Sequence, residues 1–286
     1  MSRESDRDKT LGGLVQNYVA EQCGAILDHW DLLGRRDAAS VHPSRVAVRR
    51  LRATLRTFRR VYDAGAGDEF AAELRWWGLV LGEVRDLQVL GERFDTEDDP
   101  RTPRGRAELF LAAQIARELD SAWQALSDAM NGERAARLHD AIGRWHEHPP
   151  FAEHAAQPAG RAKKRVKKAG AKVRARLARV REAAAAGDPS TPELLHSARK
   201  AAKRHRYALE LAAPVLGASA EDRIERRREL QDAFGEHQDA VVAAEFLGRL
   251  DVADEPPDVA FVLGELTEST RRQADDVRGP LDAVQE

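Results

Sequence analysis

The chain has 286 residues, with 46 lysines and arginines against 48 acidic residues and a formal net charge of -2. This length suits one large domain or two domains of ordinary size. Ala, Leu, Arg and Glu dominate while Tyr, Phe, Ile and Thr are sparse, which favours helices over a large sheet. A charged N-terminus and the lack of any run of eighteen apolar residues predict neither a secretory signal nor a membrane span. We therefore expect a cytoplasmic protein.

Charge is distributed very unevenly along the chain. Residues 158–210 hold sixteen basic residues against four acids, a local charge of +12, and residues 41–62 add +7 with no acid. The remainder carries -21. This separation predicts a concentrated positive field on an otherwise acidic body.

Hydrophobic periodicity and turn signals predict eight helices in two sets of four. The first set covers Leu11–Leu33, His42–Tyr62, Asp68–Phe94 and Arg104–His146, with a break indicated at Asn131-Gly132. The second covers Arg161–Ala186, Pro192–Ala213, Glu221–Leu250 and Pro257 to the C-terminus. We predict a flexible N-terminus at 1–10, a first bundle at 11–148, a proline-containing linker at 149–159 and a second bundle at 160–286.

Two sequence elements repeat at nearly the same separation. A shift of 154 residues places His196 on His42 and Arg199 on Arg45, and it also aligns 203, 204 and 206 with the arginines at 49, 50 and 52. A shift of 153 aligns the Gly, Glu and Asp of 82, 83 and 86 with those of 235, 236 and 239. Because two separate elements repeat together, the sequence predicts an internal duplication.

The first basic segment is amphipathic when it is drawn as a helix. Val48, Leu51 and Leu55 fall on one face, and a stripe roughly opposite holds His42, Arg45, Arg49, Arg52, Arg56 and Arg60. The part from Arg45 to Arg56 spans about 16 Å of helix axis. Like charges at i,i+4 spacing repel one another, so acids of another helix or a ligand must relieve the repulsion. An extended anion fits such a stripe better than a single phosphate ion.

These segments resemble the CHAD family, the conserved histidine α-helical domain. The resemblance rests on HPSRVAVRRLR at 42–52, LHSARKAAKRHRYALE at 195–210 and LGEVRD at 81–86, and it covers nearly the whole chain. It implies an all-α fold of two four-helix bundles related by an internal pseudo-twofold around a central basic cavity. The chain departs from its own repeat at two positions: Glu210 replaces the counterpart of Arg56, and His205 replaces that of Leu51.

The resemblance further implies a non-catalytic module that binds inorganic polyphosphate. The residues expected to bind it are His42, Arg45, Arg49, Arg50, Arg52, Arg56, His196, Arg199, Lys200, Lys203, Arg204, Arg206 and Tyr207. Five further cations are weaker candidates: Arg60, at the end of the second predicted helix, and Lys164, Lys168, Lys172 and Arg179 on the fifth. The four on the fifth predicted helix equally suit a solvated surface. Polyphosphate granules or polyphosphate-metabolising enzymes are the expected partners, and oligomeric state stays open.

Other site chemistries have weaker support. The histidines at 139, 146, 148 and 154 lack metal-ligand spacing, and the acidic run at 95–99 lacks the glycine and terminal Glu of an EF-hand, so we predict no metal, no cofactor and no catalysis. Two alternatives remain, a nucleic-acid-binding helical protein and an accessory subunit of a polyphosphate- or triphosphate-processing enzyme. Since a bound polyanion raises the pKa of nearby histidines, His42 and His196 are expected to take up protons on binding.

Overall fold

A computed structural model describes residues 9–95 and 98–277 of the chain. Within these ranges the structure has nine α-helices, joined by short 3-10 turns and loops. The helices are α1 Leu11–Gly34, α2 Val41–Thr57, α3 Ala64–Phe94, α4 Pro103–Met130, α5 Glu133–Glu147, α6 Ala162–Ala185, α7 Thr191–Leu216, α8 Ser219–Gly248 and α9 Pro257–Asp275. The all-α prediction is confirmed. Most of the predicted flexible N-terminus, residues 1–8, and the end of the last predicted helix lie outside the described ranges.

The predicted fourth helix is two helices in the structure, α4 and α5. They separate at Asn131-Gly132, where the sequence indicates a break, because Gly132 adopts an extended backbone with φ -84° and ψ 153°. The predicted linker at 149–159 contains a 3-10 turn, Glu153–Ala156. Antiparallel bridges join Phe151 to Tyr62 and Pro158 to Thr10, so both ends of this segment are held by backbone pairing.

The described residues form two compact units, and each unit uses both halves of the sequence. The first unit contains residues 9–81 and 127–231, and the second contains 82–95, 98–126 and 232–277. Both basic segments belong to the first unit, and both copies of the Gly-Glu-Asp element belong to the second. The two bundles predicted from the sequence, 11–148 and 160–286, follow the internal repeat and do not coincide with these two units. Their boundaries stay a prediction.

In the first unit, α1 packs on α2 and α5, α2 packs on α7, and α6 packs on α7. The apolar face predicted for the first basic segment is the buried face of α2: Val48, Leu51 and Leu55 are at most 3% exposed. Burial of each such side chain contributes about 1.5–3 kcal/mol. Because this face is fixed in the core, the opposite face and its arginines are directed away from the core.

Local signals set the ends of α6 and α7. Gly187 adopts a positive φ of 63° after α6, a conformation that favours glycine. The Asp188 carboxylate then accepts a hydrogen bond of 2.8 Å from the backbone N–H of Ser190, just before α7. Pro192 lies in the first turn of α7, where a missing N–H costs little. Gly217, with φ 71°, ends the helix.

The second unit has its own core, which includes Leu90 and Leu111 at 3% and 0% exposure. An exposed ion pair of 2.7 Å joins Arg249, just after the end of α8, to Glu118 on α4. In neither unit does a described helix have the length and apolarity needed to cross a bilayer.

Cys23, the single cysteine of the sequence, is fully buried in α1. Burial raises the pKa of its thiol to about 12, so the thiolate is scarce at neutral pH. Cys23 is therefore a core residue whose thiol is a poor nucleophile.

Candidate polyanion-binding grooves

A groove of about 750 Å³ lies between α2 and α7 in the first unit; we call it the first groove. Nine cationic or potentially cationic side chains line it: Arg49, Arg52, Arg56, Arg59, His196, Arg199, Lys200, Lys203 and Arg204. Asp68 is the one acid among the lining residues described, and it pairs with Arg59 at 2.5 Å. The first groove therefore has a strong excess of positive charge.

Tyr207 fixes the position of an arginine across this groove. Its side chain is 1% exposed, and its phenol oxygen accepts a hydrogen bond of 2.7 Å from Nε of Arg49. Nη2 of Arg206 donates to the same oxygen at 3.5 Å. Because Tyr207 is on α7 and Arg49 is on α2, this hydrogen bond links the two basic helices directly.

Lys203 is the most strongly perturbed cation of the first groove. Burial lowers the pKa of its amine, and the charges of four arginines lower it further, to about 6. Those arginines are Arg199 and Arg206 on α7 and Arg49 and Arg45 on α2. At neutral pH the amine is therefore largely uncharged in the empty groove. A polyanion placed among these arginines would favour the protonated form.

A second groove of about 380 Å³ lies between α6 and α7. Its cations are Arg56, Arg165, Lys168, Lys172, Arg176, Arg179 and Arg204, and no acid is among the described residues that line it. Arg56 and Arg204 line both grooves. Burial lowers the pKa of Arg204, and the charges of Arg56 and Arg176 lower it further. The two grooves thus meet at a pair of closely placed guanidiniums.

Glu210 pairs with two of the predicted basic residues that are absent from the grooves, Arg50 and Arg206. Its carboxylate lies 3.2 Å from Nε of Arg50 and 3.5 Å from Nε of Arg206. It also accepts a hydrogen bond of 2.9 Å from the hydroxyl of Tyr18. Burial and the adjacent Glu210 charge raise the pKa of Tyr18 well above its usual value. Glu210 therefore joins α1, α2 and α7 through one carboxylate.

His205 lies on the buried side of α7, away from the site predicted from the sequence. It is 5% exposed, and its Nδ1 accepts a hydrogen bond of 3.2 Å from Nε of Arg227. Burial lowers its pKa, and the charges of Arg227, Arg223 and Arg174 lower it further, to about 4. His205 is consequently a neutral core residue at physiological pH, like Leu51 at the matching position of α2.

The structure brings together most, but not all, of the residues predicted to bind the anion. Nine of them line the first groove: Arg49, Arg52, Arg56, His196, Arg199, Lys200, Lys203, Arg204 and Tyr207. Three of the weaker candidates line the second groove: Lys168, Lys172 and Arg179. Neither groove is lined by His42, Arg45, Arg50, Arg60, Lys164 or Arg206. Of these, Arg45 and Arg206 still act on Lys203 through their charge. Binding by any of these residues stays a prediction.

Sequence reasoning missed three groove residues, Arg59, Arg165 and Arg176. A signal for two of them was present in the sequence. Positions 165, 168, 172, 176 and 179 follow spacings of three and four and are all basic, which places them on one face of a helix. Arg59 lies beyond the end of α2 in a 3-10 turn, where helical spacing does not apply.

A metal-centred site finds no support in the residues described, since none of their His, Cys, Asp and Glu side chains form a group of three or more that could hold an ion. His146, one of the four histidines near the linker, is within 3.0 Å of the carbonyl oxygen of Ala20 through Nδ1. The geometry of the first unit therefore points to cationic side chains as the groups that would contact a ligand.

The CHAD domain family model matches residues 17–248 of the chain. The chain belongs to the CHAD family. Two curated proteins of Mycobacterium tuberculosis, "Uncharacterized protein MT2285" and "Uncharacterized protein Rv2226", are each 30% identical over 283 residues. The alignments cover 94% of this chain and 52% of each relative, so the chain spans about half the length of these curated relatives.

Two solved structures share the CHAD fold of this chain. One is described as "PptA from Streptomyces chartreusis", with a TM-score of 0.76, 20% identity, and coverage of 97% of this chain and 100% of that chain. The other is the CHAD domain from the plant Ricinus communis, with a TM-score of 0.75, 23% identity, and coverage of 97% and 91%. At these identities the likeness extends to the fold alone.

Proposed function

We propose that this CHAD protein binds inorganic polyphosphate in the first groove as a non-catalytic module. The observation that carries the proposal is the facing arrangement of α2 and α7, which together line the groove with seven lysines and arginines. Arg59, in the turn after α2, adds an eighth and pairs with the one acid of the described lining, Asp68. A linear polyanion supplies a negative charge at each phosphate along its length. It would therefore relieve the repulsion among these cations at several points simultaneously.

Polyphosphate suits the grooves better than duplex DNA. A single chain of phosphates can enter the confined space between two helices. A DNA duplex cannot, because it is wider than its own major groove, and that groove is already wide enough to admit a whole α-helix. The two described aromatic residues that line the first groove, Tyr62 and Tyr207, are 2% and 1% exposed, whereas stacking platforms for single-stranded bases would require accessible aromatic rings.

The duplicated basic segments extend this proposal to the origin and symmetry of the binding site. We propose that α2 and α7 are copies of one ancestral element, related by a pseudo-twofold around a central basic cavity formed by two four-helix bundles. The fixed shift of 154 residues between the two segments supports this. The two copies would then contact the same polyanion chain from opposite sides. A cytoplasmic location, with association with polyphosphate granules, is part of the same proposal.

An accessory role beside a polyphosphate- or triphosphate-processing enzyme is the second candidate. It is favoured by the length of the curated relatives, in which the matched region is about half of the protein. In this role the groove would hold the chain while a separate catalytic domain or subunit acts on it.

Direct titration tests the primary proposal. Long-chain polyphosphate, pyrophosphate and duplex DNA are compared at matched phosphate concentration and physiological salt, by calorimetry. We expect long-chain polyphosphate to bind more tightly than the other two. The log-log salt slope should be several units, by analogy with counterion release from nucleic acids. Equal or tighter binding of DNA would reject polyphosphate as the ligand.

A further inference from the structure

Lys203 differs from the other lysine of the first groove in its surroundings. Lys203 is half-buried, whereas Lys200 is exposed, although both line the groove from the same helix. No carboxylate of the described residues pairs with Lys203, and the charged groups acting on it are all arginines. An amine in such a place has a lone pair available at neutral pH and has anion-binding groups on both sides.

The position of those arginines follows from the helix geometry. Arg199 precedes Lys203 by four residues and Tyr207 follows it by four, so all three lie along one side of α7 at intervals of about 6 Å. The hydrogen bond from Arg49 to Tyr207, at 2.7 Å, brings α2 against this side. Lys203 therefore lies between Arg199, one turn before it, and Arg49, which is fixed one turn after it.

We propose that Lys203 is a site of covalent acylation by small acyl phosphates. The flanking guanidiniums would hold the phosphate group of the reagent and direct its carbonyl carbon to Nζ. This inference concerns the chemistry of one amine and goes beyond polyphosphate binding; only the protection experiment below rests on the proposed function.

The reaction is an acyl transfer. The Nζ lone pair attacks the carbonyl carbon, a C–N bond forms, and the C–O bond to phosphate breaks. Inorganic phosphate leaves with the electron pair of that bond, and the extra proton on nitrogen passes to solvent. The lowered pKa of Lys203, about 6, supplies the neutral amine that this attack requires.

Acylation would also change the groove. The resulting amide is neutral at every physiological pH, so Lys203 could no longer gain a proton when a polyanion enters. Modification would thus lower the affinity of the groove for polyphosphate and couple that affinity to the supply of acyl phosphate.

Acetyl phosphate is the probe for the test, applied to the full chain at pH 7, with acetylation at each lysine followed over time by peptide mass spectrometry. We expect Lys203 to be acetylated about tenfold faster than Lys200, because its amine is largely neutral at this pH. A rate at Lys203 equal to or below that at Lys200 would overturn the proposal. Lys203→Arg, which keeps a cation, confirms the assignment of the modified peptide.

A neutral acetyl donor separates capture by the arginines from the intrinsic reactivity of the amine. With p-nitrophenyl acetate, which carries no phosphate, the preference for Lys203 should be several-fold smaller. Arg49→Gln should lower the acetyl phosphate rate at Lys203 and leave that at Lys200 unchanged, whereas Arg228→Gln, which alters an exposed ion pair with Glu225, should change neither. An equal preference with both donors would overturn the role of the arginines.

Protection by polyphosphate distinguishes this inference from the proposed function. We expect saturating long-chain polyphosphate to slow the acetylation of Lys203 by about tenfold or more. The polyanion would occupy the arginines, and its negative charge would raise the pKa of the amine and so favour the unreactive protonated form. Fast acetylation of Lys203 that polyphosphate leaves unchanged would support the acylation site and reject polyphosphate binding in the first groove.

Discussion

Nε of Arg49 on α2 donates a hydrogen bond of 2.7 Å to the phenol oxygen of Tyr207 on α7. Arg49 lines the first groove, while Tyr207 is 1% exposed and fixed in the packing between the helices. A buried, rigid acceptor therefore determines the orientation of a groove arginine before any ligand arrives. Ordering a long side chain on binding costs about 0.5–1.5 kcal/mol, and this hydrogen bond removes that cost for Arg49.

The first prediction concerns the substitution Tyr207→Phe. We expect the free energy of unfolding to fall by about 1 kcal/mol, since one buried hydrogen bond is lost. Polyphosphate affinity should fall by about two- to tenfold, because Arg49 must then be ordered on binding. Tyr18→Phe is the matched control, as its hydroxyl donates to Glu210 outside the grooves: it should lose similar stability and keep its affinity. Equal losses of affinity in the two variants would contradict the role given to Tyr207.

The second prediction concerns Glu210, which is paired with two arginines and is mostly buried, with 16% of its side chain exposed. Glu210→Gln should destabilise the fold by about 3 kcal/mol, because it leaves the charges of Arg50 and Arg206 without a counterion in a poorly solvated place. Thermal and denaturant unfolding measure this loss. The control, Glu225→Gln, breaks an exposed pair with Arg228 and should cost about 0–1 kcal/mol. Similar losses in both variants would show that Glu210 is not a structural centre.

Much of this arrangement is predictable from residue spacing. The apolar face of α2, the break after Met130 and the burial of His205 at the position of Leu51 follow from helical periodicity, turn residues and the internal repeat. Helical geometry is local, so a sequence pattern reports it well. Helical spacing does not show which basic side chain forms an ion pair with which acid. Arg50 carries the same charge as Arg49 and is its neighbour, yet one pairs with Glu210 and the other lines the groove.

The sequence was least informative about which side chains gain a proton when an anion binds. Residue types suggested His42 and His196 as the groups that gain protons on binding, because only histidine normally titrates near neutral pH. The structure adds Lys203, whose pKa is lowered to about 6 by burial and by arginines from two helices. That cause is tertiary, since Arg45 and Arg49 are more than 150 residues away in the chain.

The third prediction follows from the direction of this shift. Between about pH 6 and 10.5 the unfolded chain binds a proton at Lys203 that the folded chain does not, so this group makes stability rise with pH across that window. Below about pH 6 the full cost of burying the charge is present. Lys203→Met should therefore raise the melting temperature at pH 6 by about 2–4 °C, corresponding to about 1 kcal/mol, and the gain should vanish near pH 10.

Thermal unfolding of Lys203→Met and wild type from pH 5 to 10 measures this difference directly. Lys200→Met is the control, because Lys200 is exposed in the same groove, and its effect should stay within about 0.5 kcal/mol. A gain in Lys203→Met that is independent of pH would show that it arises from added apolar contact rather than from removal of a buried charge.

The fourth prediction is that polyphosphate affinity rises as pH falls from about 8 to 6. If the bound polyanion keeps Lys203 protonated, affinity should change by up to tenfold per pH unit in this range. The groups around the amine in the empty groove are Arg199 and Arg206 on α7 and Arg45 and Arg49 on α2. Lys203→Met should flatten the profile.

A double variant, His42→Ala with His196→Ala, measures how much the two histidines contribute to the pH dependence of polyphosphate affinity. A smaller flattening than in Lys203→Met is expected. If instead the histidine variant removes the pH dependence and Lys203→Met retains it, the proton is taken up by the histidines alone and the assignment to Lys203 is wrong.

The last prediction uses the two residues that line both grooves, Arg56 and Arg204. If one polyphosphate chain runs from the first groove into the second, these residues contact it at the junction, whereas Lys168 and Lys172 contact only its distal part. Arg56→Gln with Arg204→Gln should weaken binding of both tripolyphosphate and long chains, and should make the salt slope shallower by about two units. Lys168→Gln with Lys172→Gln removes the same amount of charge and should weaken long chains while leaving tripolyphosphate nearly unchanged. Binding of tripolyphosphate that falls equally in both double variants would mean that net charge alone sets the affinity, and the two grooves would then not form one continuous site.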